Sequence, residues 1–135
     1  MLQKLTNADR DAVLRYVAAE PEMNLFFIGD VENCGLEGDT AAVYASVENG
    51  RWDGLVLRFY DYFTFYSDHT DFAAEPVAEF LYRQAMDSLA GKYELVERLA
   101  PYWPAWKLRP TYMARCSRPA QMPLPAGIAL RRLTP

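Results

Sequence analysis

Residues 41–67 read "AAVYASVENGRWDGLVLRFYDYFTFYS", and the reading of this stretch decides the fold. From Ala41 apolar side chains recur every second residue, the period of a strand with a buried face. "AAVYASV" and "WDGLVLRF" flank Glu48-Asn49-Gly50-Arg51. Asn-Gly readily adopts the positive φ angles of a two-residue hairpin turn, so the two runs are expected to pair antiparallel. "YDYF" then predicts a second turn before "FTFYS", Phe63 to Ser67. The expected centre is a three-stranded meander.

Towards the N-terminus the period lengthens. Leu2 to Thr6 alternates apolar and polar residues and reads as a short strand. Thr6 or Asn7 can cap a helix, with Asp9 near its positive end. That helix is expected to reach Ala19, bury Val13, Leu14 and Val17, and stop at Glu20-Pro21. "EMNLFFIGDVENCG" predicts a second helix with Met23, Phe26, Phe27 and Val31 inward and Gly35 as its stop. Gly29 weakens this helix by about 1 kcal/mol relative to alanine.

Beyond the meander, a third helix is expected from Glu75 to Asp87, with Pro76 tolerated in its first turn. Its inward face is Val77, Phe80, Leu81 and Ala85. "DSLAG" reads as a short strand. "KYELVERLAPYW" reads as a helix with Leu95, Val96 and Leu99 on one side. Leu108 to Cys116 is rich enough in β-formers to close the sheet. "SRPAQMPLPAG" has three prolines in eleven residues and no periodicity, as a linker would. The order is strand, two helices, three strands, helix, strand, helix, strand, linker and a last strand.

At 135 residues the chain has the length of one domain with one core. Its net charge of -4 argues against a nucleic-acid partner, because phosphate backbones attract basic surfaces. Two cysteines, Cys34 and Cys116, and one histidine offer no metal-ligand spacing, so no metal site is expected. No apolar run approaches the roughly 20 residues that span a bilayer, and no signal peptide is evident. The expectation is a cytoplasmic chain with reduced thiols and no membrane partner.

The order of elements matches the wiring of the GNAT acetyltransferase fold, a mixed, largely antiparallel sheet flanked by helices (α+β within α/β). "EPEMNLFFIGDVENCG", "LVLRFYDYFTFYS", "LAGKYELVERLAPYWP" and "TYMARC" resemble the N-terminal half of bacterial tandem-GNAT proteins. The resemblance implies a GNAT-like domain over 1–118, a Pro-rich linker over 119–127, and the first strand of a second GNAT domain over 128–135. The ends of the chain fit this. Leu2-Gln3-Lys4-Leu5-Thr6 and Leu130-Arg131-Arg132-Leu133-Thr134 share one pattern, as the starts of duplicated units would. Alternatively, residues 128–135 form a tail that pairs with a sheet edge of this chain or of a second copy, giving a homodimer.

The resemblance also implies an activity, transfer of an acetyl group from acetyl-CoA to an amine, and a place for the cofactor. GNAT enzymes seat its pyrophosphate on the backbone amides of an Arg/Gln-x-x-Gly-x-Gly/Ala loop after the fourth strand. The corresponding stretch here is "YSDHTDFAAEP", Tyr66 to Pro76, without glycine, arginine or lysine. Side chains obstruct close approach of backbone to phosphate. Each carboxylate about 5 Å from a phosphate charge repels it by roughly 1 kcal/mol in water. The degenerate loop Tyr66, Ser67, Asp68, His69, Thr70 and Asp71 is therefore expected to bind acetyl-CoA poorly. No cofactor is expected for this chain alone; the resemblance implies that the C-terminal GNAT domain supplies the pyrophosphate loop and most of the catalytic groups.

Asp68, His69 and Asp71 also suggest an acid/base cluster, since a carboxylate can orient and charge an imidazole. It needs a nucleophile within reach, and Ser67 is expected to point away, because strand neighbours face opposite sides. The plainer expectation is a solvated loop whose Thr70 or Asp71 caps the next helix. Asn24, Asp30, Glu32 and Asn33 form a polar set on the second helix. By resemblance they border the acceptor site, as substrate or interface contacts; as plain sequence they are a solvated helix face. The aromatic meander around Tyr60, Tyr62 and Tyr66 reads as a half-buried sheet rather than a base-stacking platform. "LAPYWPAW" reads as a segment over a core edge, or a docking patch where exposed.

Overall fold

A computed structural model describes residues 2–111. The meander is present with its turns where the sequence puts them. Strand β1 is Leu2–Lys4, β2 Ala41–Glu48, β3 Arg51–Phe59, β4 Tyr62–Tyr66 and β5 Ser88–Gly91. Asn49 and Gly50 take φ values of 53° and 75°, the left-handed pair that lets a two-residue turn match the twist of its strands. The second turn is tighter than "YDYF" suggests. Phe59 pairs directly with Tyr62, and Tyr60 adopts a φ of 56° where a glycine or asparagine is usual.

The five strands lie in sequence order, antiparallel from β1 to β4, with β5 parallel to β4. The fold is mixed α/β, a largely antiparallel sheet with, among the described residues, four α-helices: α1 Arg10–Val17, α2 Leu25–Cys34, α3 Ala74–Tyr82 and α4 Tyr93–Leu99. Thr6 and Asp9 close a short 3-10 turn before α1, the Thr6 amide donating to the Asp9 carboxylate at 2.9 Å. Strand alternation divides the side chains between two faces. Tyr66 meets Tyr16 of α1 on one face. On the other, Phe65 meets Phe72 ahead of α3, and Tyr44 meets Phe80 of α3. One buried cluster fills both layers, with Val13, Phe27 and Val31 from α1 and α2 and Val77, Leu81, Leu95 and Leu99 from α3 and α4.

Three expectations fail in instructive ways. Phe26 is 73% exposed and Met23 39%, whereas Phe27 is 1% exposed and Val31 fully buried. Asn24, Phe27 and Val31, spaced three and four apart, form the inward line, and Phe26 lies a third of a turn away. Helix α3 ends at Tyr82 rather than Asp87, and Ala85 is exposed beyond it. Gln84, whose Nε2 donates to the Phe80 carbonyl, lies just past the last turn. Residues 108–111 of the expected closing strand have no regular structure. The rest of that strand, the linker 119–127 and the segment 128–135 lie outside the described residues.

Candidate functional site

The polar site begins with a fault in the β2–β3 pairing. Ser46 faces Gly54 but Val47 faces Trp52, so Asp53 is an extra residue on β3. Such bulges re-aim side chains. Asp53 is 8% exposed at its side chain and reaches the loop between β4 and α3. Its Oδ1 meets His69 Nε2 at 2.8 Å, and its Oδ2 accepts the Ala73 amide at 2.7 Å. Ala73 is the residue that opens α3. The cap therefore comes from across the sheet, not from Thr70 or Asp71 as expected; both are exposed.

His69 Nδ1 meets Asp68 Oδ1, also at 2.8 Å. The imidazole thus bridges two carboxylates. The Asp68 hydrogen bond leads in raising the His69 pKa above its usual value, with Asp53 adding to it and burial opposing. His69 in turn holds the Asp68 pKa below the usual carboxylate range. The Tyr16 hydroxyl donates to Asp68 Oδ1 at 3.2 Å and accepts the Asp68 amide at 3.3 Å; burial pushes its pKa up to about 12.

Ser67 does reach His69, its Oγ 3.3 Å from Nδ1, against the expectation that it points away. Two residues apart, they share a side of the chain. Yet the Ser67 hydroxyl donates to the Asp53 carbonyl at 2.6 Å and its oxygen accepts the His69 amide at 3.3 Å. Both ring nitrogens of His69 face carboxylates. A general base needs a free nitrogen facing the nucleophile's proton, and this cluster presents none. Asp71 makes no contact with the ring; Asp53 takes the place the sequence suggested for it. The cluster is arranged as a clamp that joins β3, the loop and α3.

Other groups tighten the loop from behind. Arg98 of α4 donates to the Thr70 and Phe72 carbonyls and lies 4.7 Å over the Phe72 ring, a cation–π contact. Tyr66 is buried, its hydroxyl donating to Glu20 at 3.0 Å, and Glu20 pairs with Lys92 at 3.1 Å. Burial, followed by the Glu20 hydrogen bond, raises the Tyr66 pKa.

The polar set on α2 does not act as a unit. Asn24 is buried and donates to the Val17 carbonyl at 2.9 Å, which ties α2 to the end of α1. Asp30 is half-buried, and burial raises its pKa. Glu32 and Asn33 are exposed.

Two clefts adjoin these elements. One of about 950 Å³ lies over the clamp and is lined by Arg15, Tyr16, Glu48, Arg51, Trp52 and His69, among others. The second, about 800 Å³, runs beside β5 between α2 and α4, with Met23, Phe26, Phe27, Trp103 and Trp106 in its walls. Among the described residues no group of histidine, cysteine and carboxylate side chains could hold a metal ion, and no helix is long and apolar enough to cross a membrane.

Sequence reasoning missed Tyr16 and Arg98 and, at the centre of the site, Asp53. A carboxylate inside "WDGLVL" was its only signal, an acid within an apolar strand. Compared with protein-family models, curated proteins and solved structures, the chain matches none.

Proposed function

We propose that this chain is the N-terminal, structural half of a cytoplasmic GNAT-type N-acetyltransferase whose second domain carries catalysis. The whole protein would transfer an acetyl group from acetyl-CoA to an amine, and this half would shape the acceptor pocket or the interface with the C-terminal domain. What supports the family is the order of elements, with an antiparallel β1–β4 run and a β5 parallel to β4.

The observation that carries the non-catalytic assignment is the β4–α3 loop. In the GNAT reading its amides would receive the pyrophosphate. Here the amides of Asp68, His69 and Ala73 already donate to Tyr16, Ser67 and Asp53. Asp68 and Asp71 add negative charge, and Pro76 removes a donor from the first turn of α3. A diphosphate would have to displace Asp53 from Ala73 and meet these carboxylates. The residues present do not fit the cofactor.

Isothermal titration of the chain with acetyl-CoA tests this; no heat of binding is expected at micromolar concentrations, and micromolar affinity would overturn it. The family assignment has its own test. The parent protein, incubated with acetyl-CoA and a panel of primary amines, should release free CoA thiol. Absence of release with every amine would count against the GNAT reading.

A second reading has an observation in its favour. β5 is the last strand of the sheet among the described residues, and the apolar cleft beside it exposes Met23 and Phe26. A strand edge that none of the described residues pairs with, next to apolar surface, suits a protein-interaction or dimerisation module without acyltransferase activity. Sedimentation over a range of concentrations separates the two: a concentration-dependent dimer supports the module, and a strict monomer disfavours it.

A further inference from the structure

The clamp has a property that neither reading requires. Its central group is the chain's single histidine, and each ring nitrogen faces a carboxylate oxygen at 2.8 Å. An imidazolium donates from both nitrogens, whereas a neutral imidazole has one N–H and one lone pair. The geometry therefore suits only the charged ring. A neutral ring leaves a lone pair pointed at a carboxylate.

We propose that His69 is a proton-operated latch on the β4–α3 loop. Charged, it bridges Asp53 of β3 and Asp68 of the loop; on losing its proton it keeps one partner and releases the other.

Which partner is released follows from the surroundings. Asp53 is 8% exposed at its side chain and Asp68 51%. Asp53 is further anchored by the Ala73 amide, and a buried carboxylate stripped of a donor is costly. Asp68 has water and the Tyr16 hydroxyl as alternatives. The neutral ring keeps its proton on Nε2 towards Asp53, and Asp68 lets go.

The released carboxylate changes the cleft above it. The charged groups lining that cleft are Arg15 of α1, Glu48 of β2, Arg51 and Asp53 of β3, and Asp68 and His69 of the loop. With His69 charged, three positive groups face three negative ones. Deprotonation leaves a net charge of -1 and a carboxylate without its strongest partner. The latch thus sets the hold on Asp68 and takes the cleft beside it from balanced to net negative charge. It rests on side-chain geometry alone and does not depend on the acetyltransferase reading.

Nitrogen NMR of the [15N]histidine-labelled chain, followed from about pH 5 to 9, tests the latch without any substitution. The ring is expected to titrate above the ordinary 6.5, with Nε2 carrying the proton in the neutral form. The Asp68 and His69 amide resonances should move with the same midpoint. A ring midpoint at or below 6.5, or loop amides that ignore the ring's titration, would overturn the proposal. Asp68→Asn, at an exposed position, should lower the midpoint and shrink the loop response, and an unchanged midpoint counts equally against the latch. His69→Gln should leave the loop amides flat across the range; a retained transition would show that another group controls the loop.

Discussion

The Asp53 carboxylate lies 2.7 Å from the Ala73 amide, so an extra residue in a β-bulge of β3 holds the start of α3. Asp53→Ala removes a buried, charge-assisted acceptor from two donors at once. It is expected to destabilise the chain by about 2–4 kcal/mol, read from urea denaturation. Asp53→Asn keeps an acceptor and should cost about 1–2 kcal/mol. Equal, near-zero effects of both would mean that α3 starts without this cap.

Stability should vary with pH on both sides of a plateau. The His69 pKa is raised above 6.5 by Asp68 first and Asp53 next. The folded chain therefore holds this proton more tightly than the unfolded one. Its contribution is complete below 6.5 and is lost as pH rises through the folded value. Asp68, lowered below 3.8 chiefly by His69, contributes fully above 3.8, and that contribution is lost as pH falls through its folded pKa. The alkaline loss should stay below about 1 kcal/mol, because the His69 side chain is 42% exposed and screened by solvent. Urea midpoints measured across the range check the sign, and His69→Asn should flatten the alkaline limb.

Much of the fold was legible because its signals are local. Asn49-Gly50 dictates a hairpin whatever surrounds it, and the alternating runs on either side fix which faces are buried. The α2 face was misread because Met23, Phe26, Phe27 and Val31 share one arc of roughly 140° at helical spacing, and periodicity does not say which edge of that arc faces the core; tertiary packing decides it. The clamp was half legible. Asp68 and His69 are neighbours in sequence, but Asp53 is sixteen residues from His69. Only the bulge, which depends on how β2 and β3 slip past one another, brings it to the ring.

Two glycines should respond to alanine in opposite directions. A Cβ on Gly91 would lie 2.5 Å from the Phe65 carbonyl oxygen, a backbone atom that cannot yield without separating β5 from β4. Gly91→Ala is expected to destabilise by about 1–3 kcal/mol, as overpacking does. A Cβ on Gly29, inside α2, would meet nothing within 4 Å. Gly29→Ala should stabilise by about 0.5–1 kcal/mol, because the unfolded chain loses freedom that the helix does not use. Thermal unfolding of the two variants beside the parent chain reads both signs in one experiment.

Phe26 and Phe27 are adjacent in α2 and should behave as opposites. Phe27 is 1% exposed within the core cluster and Phe26 73% exposed beside the β5 cleft. Phe27→Ala leaves a cavity that the sheet cannot close, at a cost of about 3–5 kcal/mol. Phe26→Ala removes a ring that the chain itself hardly covers, and stability should change by no more than about 0.5 kcal/mol. Comparable losses from the two would mean that α2 is rotated so that both rings face inward. The functional consequence is also opposite. If a partner domain or a second copy covers the cleft, Phe26→Ala should weaken that association while the chain stays folded. Sedimentation of the parent protein and of this variant at matched concentrations measures the difference.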